Sequence, residues 1–295
     1  MLSRPATRAA HDASRDASGQ PHSARRAVGV FAMCLIALAW RRHLRYRLVL
    51  ATNRDEFHAR PTLPLAAWQD ASDIVGGRDA LHGGSWLALR GRRLAAVTNV
   101  RRPPEREGHS RGALVANFVR ADANTHEAFA ALASDAPRYR PFNLLAHDGD
   151  ALGFATNLST IPADGEDGRD FAMRPLAPGL HGISNGALDA PWPKTETLMA
   201  RLDDWLASPA SADATPDLEP LFTALADTTL ADDTRLPDTG IGLDRERFLS
   251  PAFIRHEAYG TRASTVVLIA YDHALIVERR FGPGGAFEGE TRVVV

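Results

Sequence analysis

Residues 33–56 read MCLIALAWRRHLRYRLVLATNRDE, and this stretch restricts the fold more than any other in the chain. Two apolar or β-favouring runs, 34–40 and 46–52, flank the basic segment Arg41-Arg42-His43-Leu44-Arg45, the pattern of two paired strands joined by an exposed turn. In the first run the even positions (Cys34, Ile36, Leu38, Trp40) and the odd ones (Leu35, Ala37, Ala39) are all apolar, so both faces need cover. Such a strand belongs in the middle of a sheet within a layered fold. Antiparallel pairing returns the end of the second strand to the start of the first, which brings Cys34 to Asn53-Arg54-Asp55-Glu56, where the partner strand is expected to end. A thiol, a guanidinium and two carboxylates then converge, either as a reactive site or as a buried ion-pair cluster containing a cysteine.

The rest of the chain supplies more hairpins. Strands are expected at 85–90 and 93–100, at 142–147 and 151–156 around Asp148-Gly149-Asp150, and at 171–176, 180–184, 253–258, 264–270 and 274–281. Pro61 and Pro64 mark an irregular connection to Trp68, and Gly76-Gly77 and Gly83-Gly84 read as turns. Helices are expected after an N-cap at Ser110, after the capping box Asn124-Thr125-His126-Glu127, after Trp192-Pro193-Lys194, and over 218–226. Residues 164–170 read as a polar loop, 208–216 as a flexible connection, and 282–285 as a break. Hairpins with clustered helices and no βαβ rhythm predict an α+β fold of antiparallel sheets covered by helices.

No internal boundary divides residues 33–295, which are expected to form one domain. Residues 1–32 are rich in Ala, Arg and Ser and poor in large apolar side chains, a composition that does not build a core. Three readings stand: a disordered extension, a start assigned upstream of an initiator at Met33, or an Arg-rich, acid-poor targeting peptide. A net charge of −2 with interspersed signs gives no nucleic-acid footprint, and no apolar run reaches the roughly 20 residues of a membrane span. The single cysteine excludes an internal disulfide and a multi-cysteine zinc cage, and suggests a reducing compartment, the cytoplasm. No metal and no resident cofactor are expected.

A lone cysteine in an apolar strand is usually inert, but one beside a guanidinium has a lowered pKa and can act as a nucleophile. None of the 11 histidines completes a Cys-His-Asn order, although His181, beside Gly182 at a strand, is the best placed. The α-amine of Cys34, with an ordinary pKa of about 7.7 to 8.0, would serve as the base if Cys34 were the first residue.

Several motifs in order, Met33-Cys34, Asn53-Arg54-Asp55-Glu56, Thr98-Asn99-Val100-Arg101, Ser110-Arg111-Gly112, Ser184-Asn185-Gly186, Pro191-Trp192-Pro193-Lys194 and Tyr259-Gly260-Thr261-Arg262, resemble the NRDE family, also called the transport-and-Golgi-organisation family. That family is similar in turn to cysteine N-terminal-nucleophile hydrolases such as penicillin V acylase and bile salt hydrolase. The resemblance implies a four-layer αββα sandwich and an amidohydrolase acting on a linear amide or acyl bond. It makes Cys34 the nucleophile, Arg54 the stabiliser of its thiolate and Asp55 the partner of its α-amine. Asn99 and Asn185 become oxyanion donors, and Arg262 holds the far side of the polar cluster. Asn53, Glu56 and His181 are candidates for contact with substrate, with Glu56 also a salt-bridge partner. The alternative implied by the same family is a non-catalytic protein that handles haem, a lipid or acyl-CoA in this pocket. An interaction scaffold has little support, and the oligomeric state is open. Arg54 and Asp55 are adjacent, so an ideal strand points them to opposite sides unless a bulge intervenes.

Overall fold

The computed structural model describes residues 33–101, 107–158, 171–213 and 215–295. Its strands are β1 (Met33–Trp40), β2 (Tyr46–Phe57), β3 (Thr62–Trp68), β4 (Ala71–Asp79), β5 (Leu87–Arg90), β6 (Arg93–Asn99), β7 (Phe142–His147), β8 (Leu152–Thr156), β9 (Ala172–Pro175), β10 (Gly179–Ile183), β11 (Tyr259–Ala270), β12 (Ala274–Phe281) and β13 (Phe287–Val294). The helices are α1 (Gly112–Arg120), α2 (Thr125–Leu132), α3 (Pro193–Ala207), α4 (Pro209–Ala212), α5 (Glu219–Leu225) and α6 (Leu243–Phe248). The expected loop at 164–170 and the segment 1–32 lie outside the described residues. Phe31–Val295 form one compact unit.

The strands make two antiparallel sheets, β10-β1-β2-β11-β12-β13 and β3-β4-β5-β6-β7-β8-β9, and the class is α+β. The double-sided apolarity of β1 places it inside the first sheet, between β10 and β2. Its even positions Ile36, Leu38 and Trp40 pack with Leu87, Leu89, Leu94 and Leu145 of the second sheet in the core between the sheets. Its odd positions Leu35, Ala37 and Ala39 pack against Leu198, Leu202 and Trp205 of α3 and Phe222 of α5. The outer face of the second sheet, with Ala95, Val97 and Leu144, is covered by Leu114, Val115 and Phe118 of α1 and Phe129 of α2.

Several expectations are corrected. β2 continues through Phe57, so Asn53-Arg54-Asp55-Glu56 lies within the strand and not beyond it. Helix α1 is preceded by Arg111, with no side-chain cap, and not by Ser110. Residues 61–68 and 71–79 are strands: β3 is an edge strand, where Pro64 is tolerated, and Gly76 and Gly77 lie in β4 because Ala88 and Trp86 occupy the space of side chains there. The segment 208–216 contains α4. Residues 253–258 form no strand. Instead Ile254 folds onto β11, its N–H donating to Thr261 Oγ1 at 2.9 Å and its carbonyl accepting from Thr261 N at 3.0 Å.

Candidate functional site

The β1–β2 register sets Cys34 opposite Arg54 and Met33 opposite Asp55. Cross-strand partners share a face, so the Cys34 thiol lies with Arg54 and Glu56 on the side of the second sheet, and Asn53 and Asp55 face the helices. The alternation expected for adjacent Arg54 and Asp55 holds in β2. The bulge is on the neighbouring strand: Thr261 pairs with Asp55 and Ala263 with Arg54, leaving Arg262 as the extra residue of β11.

On the thiol face, the Arg54 guanidinium stacks 4.3 Å from the centre of the Trp86 ring and lies 3.6 Å from Glu56. Glu56 is also 3.5 Å from Arg60 and accepts from Phe57 N at 2.9 Å. Arg262 donates to Phe57 O at 3.2 Å and Arg60 O at 2.7 Å, fastening the turn between β2 and β3. Cys34 is 8% exposed, and its thiol is pushed up to about 12, first by burial and then by Asp55, with Glu56 adding. Arg54 and Arg111 pull the other way without prevailing, so the sulfur is a thiol at neutral pH.

On the helix face, Asp55 is fully buried. Its Oδ1 accepts from Thr261 Oγ1 at 2.6 Å, while Oδ2 finds no hydrogen-bond partner among the described residues. Desolvation raises the Asp55 carboxyl to about 6, against the opposing pull of Lys194, Thr261 and Arg54. Lys194, buried in the first turn of α3, donates to Leu249 O at 2.8 Å. Burial holds its ammonium down to about 8, offset first by Asp55. The Tyr259 hydroxyl is also buried with no partner among the described residues, and burial followed by Asp55 raises it well above the ordinary phenol. Arg101 and Glu246 form a buried ion pair at the edge of this cluster.

The two sheets are joined beside Cys34. Asn185, following β10, donates from Nδ2 to the carbonyl of Asn99 at the end of β6 at 2.8 Å, and its own carbonyl accepts from Arg101 N at 2.8 Å. Ser184 Oγ lies 2.9 Å from the Cys34 carbonyl. The structure thus gathers Cys34, Arg54, Asp55, Glu56, Asn99, Asn185 and Arg262 around one end of the first sheet. Asn53 is outside this group: its amide donates to Leu225 O at 2.8 Å and Ala252 O at 2.7 Å, and it accepts from Ser264 Oγ at 2.6 Å, tying β2 to the helix layer. His181 stands opposite Leu38, four residues along β1 from Cys34 and therefore about 13 Å away at strand rise, and contacts Asp189 and Ala177 O, both at 3.0 Å.

In the sequence Lys194 reads only as the lead-in to a helix, and Tyr259 only as part of a motif, with no role of its own. A usable signal was present for Lys194: a cation in the first turn of a helix opposes the macrodipole, so something acidic must hold it there. Among the described residues no group of three or more His, Cys, Asp or Glu is arranged to hold a metal ion, and no helix is long and apolar enough to cross a membrane.

A family model described as Transport and Golgi organisation 2 matches residues 33–283, from the first residue of β1 to just before β13. The Transport and Golgi organization protein 2 homolog of Homo sapiens is 31% identical over 265 residues, covering 84% of this chain and 91% of its own length. The Mus musculus homolog is 31% identical over 252 residues, with 79% and 86% covered. Transport and Golgi organization protein 2 of Drosophila melanogaster is 28% identical over 248 residues, with 76% and 82% covered.

Proposed function

We propose that this chain, which belongs to the Transport and Golgi organisation 2 family, is a thiol-dependent amidohydrolase that cleaves a linear amide or related acyl bond when Cys34 is its first residue. The observation that carries this reading is Asp55. Its buried Oδ2 lacks a partner, and its register partner is Met33, beside the nitrogen that becomes an α-amine in a chain beginning at Cys34. Leaving such an acceptor unmet costs about 1–3 kcal/mol, and an amine N–H is the donor that position can receive.

In this mechanism the α-amine takes the thiol proton and the sulfur adds to the substrate carbonyl carbon, with Arg54 stabilising the thiolate as it forms. Asn99 and the second N–H of Asn185 donate to the oxyanion. The protonated amine passes its proton to the leaving nitrogen, the C–N bond breaks, and water hydrolyses the thioester to release the acid and the thiol. Arg262 and Glu56 keep the β2–β3 turn closed over Arg54. The sheet and helix layers support the αββα sandwich of N-terminal-nucleophile hydrolases as the architecture.

A second reading, in which the pocket holds a lipid or acyl-CoA type of ligand without turnover, is favoured by the thiol itself, pushed up to about 12. The chain beginning at Cys34 is incubated with an activated-amide probe, and its intact mass is measured. One acyl adduct per chain, absent from Cys34→Ala, is the expected result. Equal labelling of both proteins, or binding that leaves neither modified, decides against the hydrolase.

A further inference from the structure

The four sheet edges of this fold are not alike. The first sheet ends on β10 and β13, the second on β3 and β9. An open edge offers a row of unpaired N–H and C=O groups to any passing strand, and proteins blunt it with proline, bulges, short strands or a covering segment. Three of these edges are blunted. β3 carries Pro64 and slips register twice against β4. β9 is four residues long and ends on Pro175. β10 is closed by Asp189, whose N–H donates to Gly182 O at 2.7 Å and whose Oδ1 accepts from Gly182 N at 2.8 Å. β13 is different: its eight residues, FEGETRVV, include no proline or lysine, and its one irregularity lies near its start, where Glu288 is the extra residue.

Pairing with β12 fixes the direction of its backbone groups. Ala274 and Val295 exchange both of their hydrogen bonds, at 2.8 and 2.9 Å. Antiparallel pairs alternate between bonded and non-bonded, so Ile276↔Val293 and Glu278↔Thr291 continue the bonded set. Val293 and Thr291 therefore point N–H and C=O at β12, and Glu290, Arg292 and Val294 point theirs outward. The side chains of these three are exposed, and among the described residues no strand pairs with the outer edge.

We propose that β13 pairs edge to edge, antiparallel, with β13 of a second copy of this chain, about a two-fold axis at Thr291 that joins the two six-stranded sheets into one. Charge selects both the partner and the register. Charges alternate across the outer face of the first sheet: Glu219 of α5 holds Arg279 at 2.6 Å, and Arg279 holds Glu290 at 2.8 Å. Arg292, two residues along β13, has no ion pair or hydrogen bond among the described residues. Only the outward set can bond across the new edge, which limits the registers. An axis at Glu290 sets glutamate against glutamate, one at Arg292 sets arginine against arginine, and one at Val293 sets Arg292 against valine. An axis at Thr291 sets Glu290 against the partner's Arg292 and Arg292 against the partner's Glu290. Each Glu290 then lies between its own Arg279 and the partner's Arg292, and the two Thr291 side chains meet on the axis as a favourable cross-strand pair. Cys34 is on β1, with three strands between it and β13, so this contact is independent of the chemistry proposed above.

Sedimentation velocity of the full chain, from micromolar to millimolar concentration, tests the pairing. The parent is expected to move with concentration to twice the mass of one chain and no further, because a two-fold contact closes. Arg292→Glu should weaken the dimer about tenfold or more, since two facing carboxylates replace each ion pair. Glu290→Arg should do the same with facing guanidinium groups. Mixed together, the two variants carry opposite charges at both crossings, so the mixture should regain the dimer that neither forms alone. A parent that stays monomeric throughout overturns the proposal, as does a dimer that Arg292→Glu leaves unchanged, an assembly that keeps growing with concentration, or a mixture no larger than its components. Glu290→Arg also loses Arg279. Should it fail to fold, Arg292→Lys beside Arg292→Glu decides: the lysine chain should keep the dimer and the glutamate chain lose it, and equal masses for the two refute the contact.

Discussion

Asp55 and Lys194 each titrate on the unfavourable side of their solution values, and the two effects have opposite signs with pH. Burial lifts the Asp55 carboxyl to about 6, so between roughly pH 4 and 6 the folded chain keeps a proton that the unfolded chain has released. That contribution is complete below pH 4 and is lost as the pH rises through 6. Burial lowers Lys194 to about 8, so its contribution is complete above the ordinary lysine range and is lost as the pH falls through 8. Between 6 and 8 both groups are charged, and the pair is at its least stabilising. Replacing both, Asp55→Asn with Lys194→Met, should match or exceed the parent by about 1–4 kcal/mol in urea unfolding at pH 7, and should remove the decline between pH 4 and 6. A double variant clearly weaker than its parent at pH 7 would show that the pair stabilises the fold. Asn185 offers the converse comparison. Its truncation removes one sheet-to-sheet hydrogen bond, worth about 1 kcal/mol, and, under the proposed mechanism, an oxyanion donor; that mechanism predicts that Asn185→Ala slows kcat by about 100- to 1,000-fold while moving the urea midpoint only slightly.

At the scale of elements, the position of the site depends on a close approach of backbone. Gly84, just before β5, lies against Gly112 at the start of α1: a Cβ on Gly84 would come within 2.5 Å of the Gly112 carbonyl carbon. Backbone cannot swing aside as a side chain does, so Gly84→Ala should cost about 1–3 kcal/mol or more and push Arg111 away from Cys34. Urea unfolding and the rate of thiol alkylation report these two effects separately. The β1–β2 hairpin and the gathering of Cys34 with Arg54 and Asp55 were legible in the sequence because a strand apolar on both faces has one place to go and antiparallel pairing then fixes the register. The capping box at Asn124 and Glu127 was legible because it is a local hydrogen-bond pattern. The strands β3, β4 and β13 were not. β3 and β13 are edge strands with much of their length exposed, which dilutes the apolar signal, as in the alternately exposed FEGETRVV of β13, and in β4 the Gly76-Gly77 pair reads as a turn although Ile74 and Val75 beside it are buried. The bulge at Arg262 was hidden for another reason: it arises from the pairing of β11 with a strand some two hundred residues earlier, and nothing local specifies it.

For the molecule as a whole, the two sheets are held together by the apolar core between them and by a small number of polar links, of which Glu278 is a buried one. Its Oε1, on β12 of the first sheet, accepts from the Leu65 N–H on β3 of the second at 2.8 Å. Burial raises the Glu278 carboxyl, against the opposing pull of Leu65 N–H, Arg280 and Arg54. A raised carboxyl contributes stability that is complete below its ordinary value of 4.5 and is lost as the pH rises. The amide of glutamine offers the same acceptor oxygen without a charge to desolvate. Glu278→Gln should therefore raise the urea midpoint at pH 7–8 with an unchanged denaturant slope, and the gain should vanish near pH 4, where the parent side chain is itself protonated. Glu278→Ala, which leaves the Leu65 N–H buried and unmet, should instead destabilise by about 1–3 kcal/mol at both pH values. A gain from Glu278→Gln that persisted undiminished at pH 4 would mean that the desolvated charge is not what limits this link, and that the two sheets gain from the amide through contacts of another kind.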